Sequence, residues 1–155
     1  MKKKPKILIV TSRYNEPWEL YESASDELKK RKISFKTNVK CIRVNGAFEI
    51  PVTIARNINK FDAAIAIGII IKGETPNFNL ISQAITNGIM EISILHKKPI
   101  GNAILTCLNF DQAKERKHKG KEAVEAVLDV LNPSVNDPKV RKNKAKLYSF
   151  IRKLK

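Results

Sequence analysis

The junction Lys72-Gly73-Glu74-Thr75-Pro76-Asn77 carries the strongest chemical signal in the chain, because an apolar strand-like run gives way there to helical periodicity. A helix starting at that point turns unpaired amides and the positive end of its dipole toward the loop, an arrangement that attracts phosphate. Thr75 is the expected N-cap, Pro76 the expected first helical residue, and Gly73 the expected source of unusual backbone geometry. A plain N-capped strand-to-helix turn would carry the same pattern. The G-x-x-x-x-G-K-[ST] spacing of a P-loop is missing. Asn77 stands where proton chemistry would be done, yet asparagine hydrogen-bonds without titrating near neutral pH.

Three further segments could serve a ligand. "NGAFEIP" (45–51) holds the carboxylate of Glu49 and the ring of Phe48 beside a tight Asn-Gly turn. Glu49 could accept hydrogen bonds from hydroxyls, or be an ordinary surface acid. "SRYNE" puts Arg13 and Tyr14 directly after the first strand, where Tyr14 could stack on a planar ring or simply pack. "AKERKHKGK" gathers Arg116, Lys117, Lys119 and Lys121, cations for a substrate phosphate or for a solvated helix face. The acid–base inventory is thin. The two histidines are His96, at a helix end, and His118, in a basic run. No Ser/His/Asp or Cys/His grouping is evident, and no ligand spacing suggests a metal, so neither metal nor cofactor is expected.

These residues need elements to position them. Short apolar runs at 6–10, 33–44, 61–71 and 100–107 read as strands, with little alternation in all but the second. Apolar residues three or four apart predict helices over 18–32, 52–60, 76–96 and 109–131, the last with a break near Gly120. A basic helix is expected at 138–155, docked through Val140, Leu147, Tyr148, Ile151 and Leu154. Alternating buried strands and amphipathic helices predict a flavodoxin-like three-layer α/β/α sandwich around a four-stranded parallel sheet. Ligands in such sheets sit at the carboxyl ends of the strands, which here are "TSRYNE", "VNGAFEIP", "IIIKGETP" and "NAILTCLN".

Composition sets the frame. The 155 residues suit one domain, 1–155, with an ordinary core. The longest apolar stretch, 63–71, is too short to span a bilayer. "MKKKPK" is followed by only four apolar residues and no cleavage site, so a cytoplasmic chain is expected. Cys41 and Cys107 read as two buried thiols in a reducing compartment. The net charge of +15 suits either a polyanion partner or a lysine-rich solvated surface. The lysines are spread along the chain without aromatic–basic alternation, which favours the second.

Taken in order, "NGAFEIP", "IGIIIKGETPNF", "PIGNAILT" and "DQAKER" give the chain a specific resemblance to the 6,7-dimethyl-8-ribityllumazine synthase family, from "ILIVTSRYNE" to about residue 131. The resemblance implies condensation of 5-amino-6-(D-ribitylamino)uracil with 3,4-dihydroxy-2-butanone 4-phosphate in riboflavin biosynthesis. It implies that Tyr14 stacks on the pyrimidine and that Ala47, Phe48 and Glu49 hold the ribityl chain. Ile69, Ile70, Ile71 and Asn102 would contact the pyrimidine, and Glu74, Thr75 and Arg116 the phosphate. It also implies a homo-oligomer, pentamer or decamer, with each site between neighbouring subunits. Small-molecule substrates and further copies of the chain are then the partners, with neither membrane nor nucleic acid.

Two positions depart from the family pattern. Asn77 replaces the usual histidine, which predicts a slowed reaction. The glycine-rich loop after the phosphate arginine is shortened to "KHKG", which argues against a larger shell and leaves His118 as a minor alternative proton carrier. The alternatives are a catalytically impaired flavin- or lumazine-binding assembly and a polyanion-binding protein using the terminal helix.

Overall fold

In the computed structural model the described residues are 3–133, with positions 149 and 152 beyond them; the rest of the helix expected at 138–155 lies outside the described residues. The elements run β1 (Ile7–Ser12), α1 (Trp18–Lys30), β2 (Val39–Val44), α2 (Ile50–Asn57), β3 (Ala63–Ile71), α3 (Asn77–His96), β4 (Ile100–Cys107), α4 (Phe110–Glu115) and α5 (Lys119–Leu131). Short 3-10 turns precede and follow α2, at Ala47–Glu49 and Ile58–Lys60. The four strands are parallel in the order β2-β1-β3-β4. The expected sandwich is therefore present.

Strand side chains alternate between two cores. Ile7, Ile9, Ile65, Ile67 and Leu105 face Leu20, Ala24 and Leu28 of α1 and Val124, Val127 and Leu128 of α5. Leu8, Val10, Ala64 and Ala66 face Ile50 and Ile54 of α2 and Ile85 and Ile89 of α3. β1 and most of β3 are buried throughout, which is why both read as unbroken apolar runs.

Several boundaries differ from the sequence expectation. β1 continues through Thr11 and Ser12, both buried. The strand expected over 33–44 is confined to β2. After α1, Lys32 turns left-handed (φ 58°). Its N–H donates to Lys29 O, and that of Ile33 to Leu28 O, closing the helix with a reciprocal pair. Ile33 is thereby drawn into the core, and Asn38 N–H to Ser34 O (2.8 Å) makes 34–38 a turn. The break expected near Gly120 falls at Arg116–His118 instead. Gly120 lies inside α5, where a Cβ would overlap the carbonyl oxygen of Leu20 on α1, so the glycine sets how closely the two helices approach.

Cys107 is buried as expected, but Cys41 is exposed, because β2 is an edge strand with only part of one face covered. No described helix is long and apolar enough to cross a membrane.

Candidate functional site

The strand order reverses between β1 and β3, since β1 leads outward to β2 and β3 lies on its other side. At such a switch point the loops leaving two adjacent strands part and leave a crevice. A cavity of about 280 Å³ lies there, lined by Tyr14 and Asn15 after β1, Ala47 and Phe48 before α2, Ile69, Ile70, Ile71, Gly73 and Thr75 from β3 onward, and Asn77, Phe78 and Ile81 of α3.

Local chemistry explains how the walls are held. The N–H groups of Arg13 and Tyr14 both donate to Asn45 O, at 3.2 and 2.9 Å, which joins the loop after β1 to the loop after β2. Asn15 and Glu16 are both left-handed, with φ of 61° and 45°, so the chain reverses abruptly before α1. The Asn15 side-chain amide donates to Ile69 O at 2.9 Å. That carbonyl points to the β1 side of β3, and β1 has already ended at Ser12. Asn15 thus takes the place of a missing strand partner and ties the Tyr14 loop to the β3 backbone. Glu49 Oε2 accepts the N–H of Gly46 at 2.8 Å, bracketing the turn that presents Ala47 and Phe48.

The start of α3 differs in detail from expectation. Pro76 is the N-cap and Asn77 the first helical residue, and no side chain caps the helix. Thr75 is therefore not the cap, and the first amides of this twenty-residue helix lack side-chain partners. Gly73 keeps a negative φ and so does not adopt the unusual backbone expected of it. Tyr14 and Phe48 are largely exposed, at 73% and 62%, rings standing at the cavity without a packing partner that would cover them.

The structure thus gathers Tyr14, Ala47, Phe48, Ile69, Ile70, Ile71, Thr75 and Asn77 in one place, and leaves Glu49, Glu74, Asn102 and Arg116 outside the lining. Glu74 is an exposed loop residue. Asn102 lies on β4 in register with Ala66, about 16 Å back along the sheet from Ile71. Its Oδ1 accepts the N–H of Ile104 (3.0 Å) at the free edge of the sheet. Arg116 ends α4, donating through Nη1 to Gln112 O at 2.9 Å, with the Glu115 carboxylate at 3.8 Å. His118 faces Glu122, Nε2 to Oε1 3.4 Å, away from the lining. Among the described residues no group of three His, Cys, Asp or Glu is arranged to hold a metal.

Asn15, Phe78 and Ile81 were missed by sequence reasoning. An asparagine directly after a buried strand was the available signal for the left-handed turn, since that residue type is enriched there.

The family model for 6,7-dimethyl-8-ribityllumazine synthase matches residues 4–134. The chain belongs to this family. Among lumazine synthase relatives, that of Buchnera aphidicola subsp. Baizongia pistaciae is 39% identical, covering 84% of this chain and 88% of its own length. That of Campylobacter curvus is 36% identical over 83% of this chain and 88% of its own length. That of Campylobacter jejuni subsp. doylei is 37% identical over 82% and 88%. The family match spans all of the described elements from β1 to α5, so it covers both halves of the predicted lumazine synthase site.

Proposed function

We propose that the protein is a 6,7-dimethyl-8-ribityllumazine synthase, a transferase of riboflavin biosynthesis that condenses 5-amino-6-(D-ribitylamino)uracil with 3,4-dihydroxy-2-butanone 4-phosphate. What supports this reading is the cavity at the sheet's switch point, lined together by Tyr14, Ala47, Phe48, Ile69, Ile70, Ile71 and Thr75. Tyr14 stacks on the pyrimidine, the backbone of Ile69–Ile71 faces the ring, and the Ala47–Glu49 turn holds the ribityl chain. Thr75, Glu74 and the uncapped start of α3 receive the phosphate.

The amine attacks the ketone and water leaves. Phosphate is then eliminated, and ring closure releases a second water. Positioned amides and a guanidinium favour departure of the phosphate by matching its charge. Holding the two reactants together contributes several kcal/mol more. A second copy of the chain supplies Asn102 and Arg116, so that the working unit is a homo-oligomer, pentamer or decamer, with sites at the subunit boundaries. That arrangement explains why one chain holds these two residues away from its own cavity.

Asn77 removes the proton carrier but keeps a hydrogen-bonding group at the start of α3. The reaction then runs without general acid–base assistance, which typically contributes about 10²–10⁴-fold. Mixing the purified protein with both substrates and following lumazine absorbance tests the assignment. Turnover above the uncatalysed rate is expected, with Asn77→His faster by about tenfold or more. A rate equal to the uncatalysed one in both proteins would remove the enzymatic reading.

A further inference from the structure

A second cavity, of about 350 Å³, opens on the other face of the sheet, between the start of α1 and the edge strand β2. It shares no lining residue with the first. Trp18, the chain's one tryptophan, stands in its wall while remaining 61% exposed. The indole stacks on Tyr21, ring centroids 5.5 Å apart and planes 27° from parallel, so the pair forms a fixed aromatic surface. Such a surface at a cavity of this size suits a planar ring.

The polar groups of the lining complete the picture. Arg43 reaches the cavity from β2, and among the described residues no carboxylate forms an ion pair with it. A free guanidinium beside aromatic rings suits a planar or tetrahedral oxyanion. Glu16 enters from the opposite wall, the loop after β1, as an acceptor for hydroxyl or ring N–H groups. The Thr11 hydroxyl, though buried, has only a long bond to Ser12 O, at 3.4 Å. Thr11 is one of the residues that line the cavity.

We propose that this groove binds a nucleoside monophosphate, with the base against Trp18, the phosphate on Arg43 and the ribose hydroxyls toward Glu16. The volume lies at the small end of ligand clefts, which suits a mononucleotide better than a dinucleotide. The site is distinct from the condensation centre and does not depend on how that centre works.

Trp18 makes the test direct, because no other tryptophan contributes to the emission. The full chain is titrated with adenosine 5′-monophosphate while the fluorescence is followed. Saturable quenching is expected. Arg43→Gln, an exposed position on an edge strand, should weaken the apparent affinity by about tenfold. Inorganic phosphate alone should leave the emission unchanged, and Phe48→Ala in the other cavity should leave the titration unchanged. The proposal fails if millimolar nucleotide gives no saturable quenching, or if Arg43→Gln binds as well as the parent. It fails equally if Phe48→Ala abolishes the signal, or if phosphate alone reproduces it.

Discussion

The two faces of the sheet are finished to different degrees. On the α1/α5 face, α5 meets α1 and β4 without slack, while the groove beside β2 stays open. Gly120 lets α5 lie against the backbone of α1, and at Gly101 a Cβ would stand 2.5 Å from the carbonyl oxygen of Ala123. On the α2/α3 face, α3 runs for twenty residues yet buries only Ile85 and Ile89. Its Leu80, Met90, Ile94 and Leu95 stay between 60% and 74% exposed. Apolar surface on that scale marks an interaction face. On the first face the contact between α1 and α5 is closed within one chain. The second leaves apolar residues of α3 exposed beside the cavity whose remaining predicted residues lie elsewhere.

The sharpest way to break the contrast is Gly120→Ala. The added methyl meets backbone, which cannot rotate away, so separating α1 from α5 should cost about 3 kcal/mol, or ~10 °C in Tm. An unchanged melting curve would mean that the closed face has slack after all. Ile94→Glu probes the other face. The residue is exposed, so the fold should survive, while a buried charge at a subunit contact weakens assembly by about 2 kcal/mol, roughly 30-fold. Sedimentation should show smaller species and the lumazine assay lower turnover. A variant that stays assembled and fully active would place the contact surface elsewhere.

The smallest expected effect comes from the thiols. Burial pushes the Cys107 thiol above its ordinary value near 9, partly countered by the charge of Arg116. A raised folded pKa favours the fold fully below the unfolded value, and that contribution is lost as pH rises through the folded one. Stability should therefore decline from about pH 9 upward, as followed by thermal melts. Cys41, though accessible to solvent, and Tyr21 are also raised, chiefly by partial desolvation in the groove between α1 and β2, so Cys107→Ala should shrink the decline without abolishing it. At neutral pH a thiol reagent should label Cys41 and spare Cys107 until the chain unfolds.

Legibility in the sequence followed the same division. β1 and β3 announced themselves as apolar runs because burial on both faces leaves little choice of residue; β4, an edge strand with Asn102 and Thr106 exposed, was legible from its remaining apolar residues, and α3 from its period. Ile33 misled because an isolated apolar residue can dock from a helix cap as well as from a strand. The cap of α3 slipped by one residue to Pro76, a shift of the size by which helix ends commonly fray. Cys41 was misread because the type of residue does not reveal that its strand lies at an edge. At the site, the motifs that converge on the switch point were readable one by one. The Asn15 tether was not, because its partner lies fifty-four residues away. The separation of Asn102 and Arg116 from the cavity was invisible without the sheet register.

That register has a kinetic consequence. Asn102 sits a strand's length behind the cavity in its own chain, so on the split-site reading each working centre needs a neighbour. The polypeptide then enters the rate law twice, as catalyst and as co-reactant. Turnover per chain would fall on dilution even at saturating substrate, which makes the abundance of the protein itself a control on flavin supply.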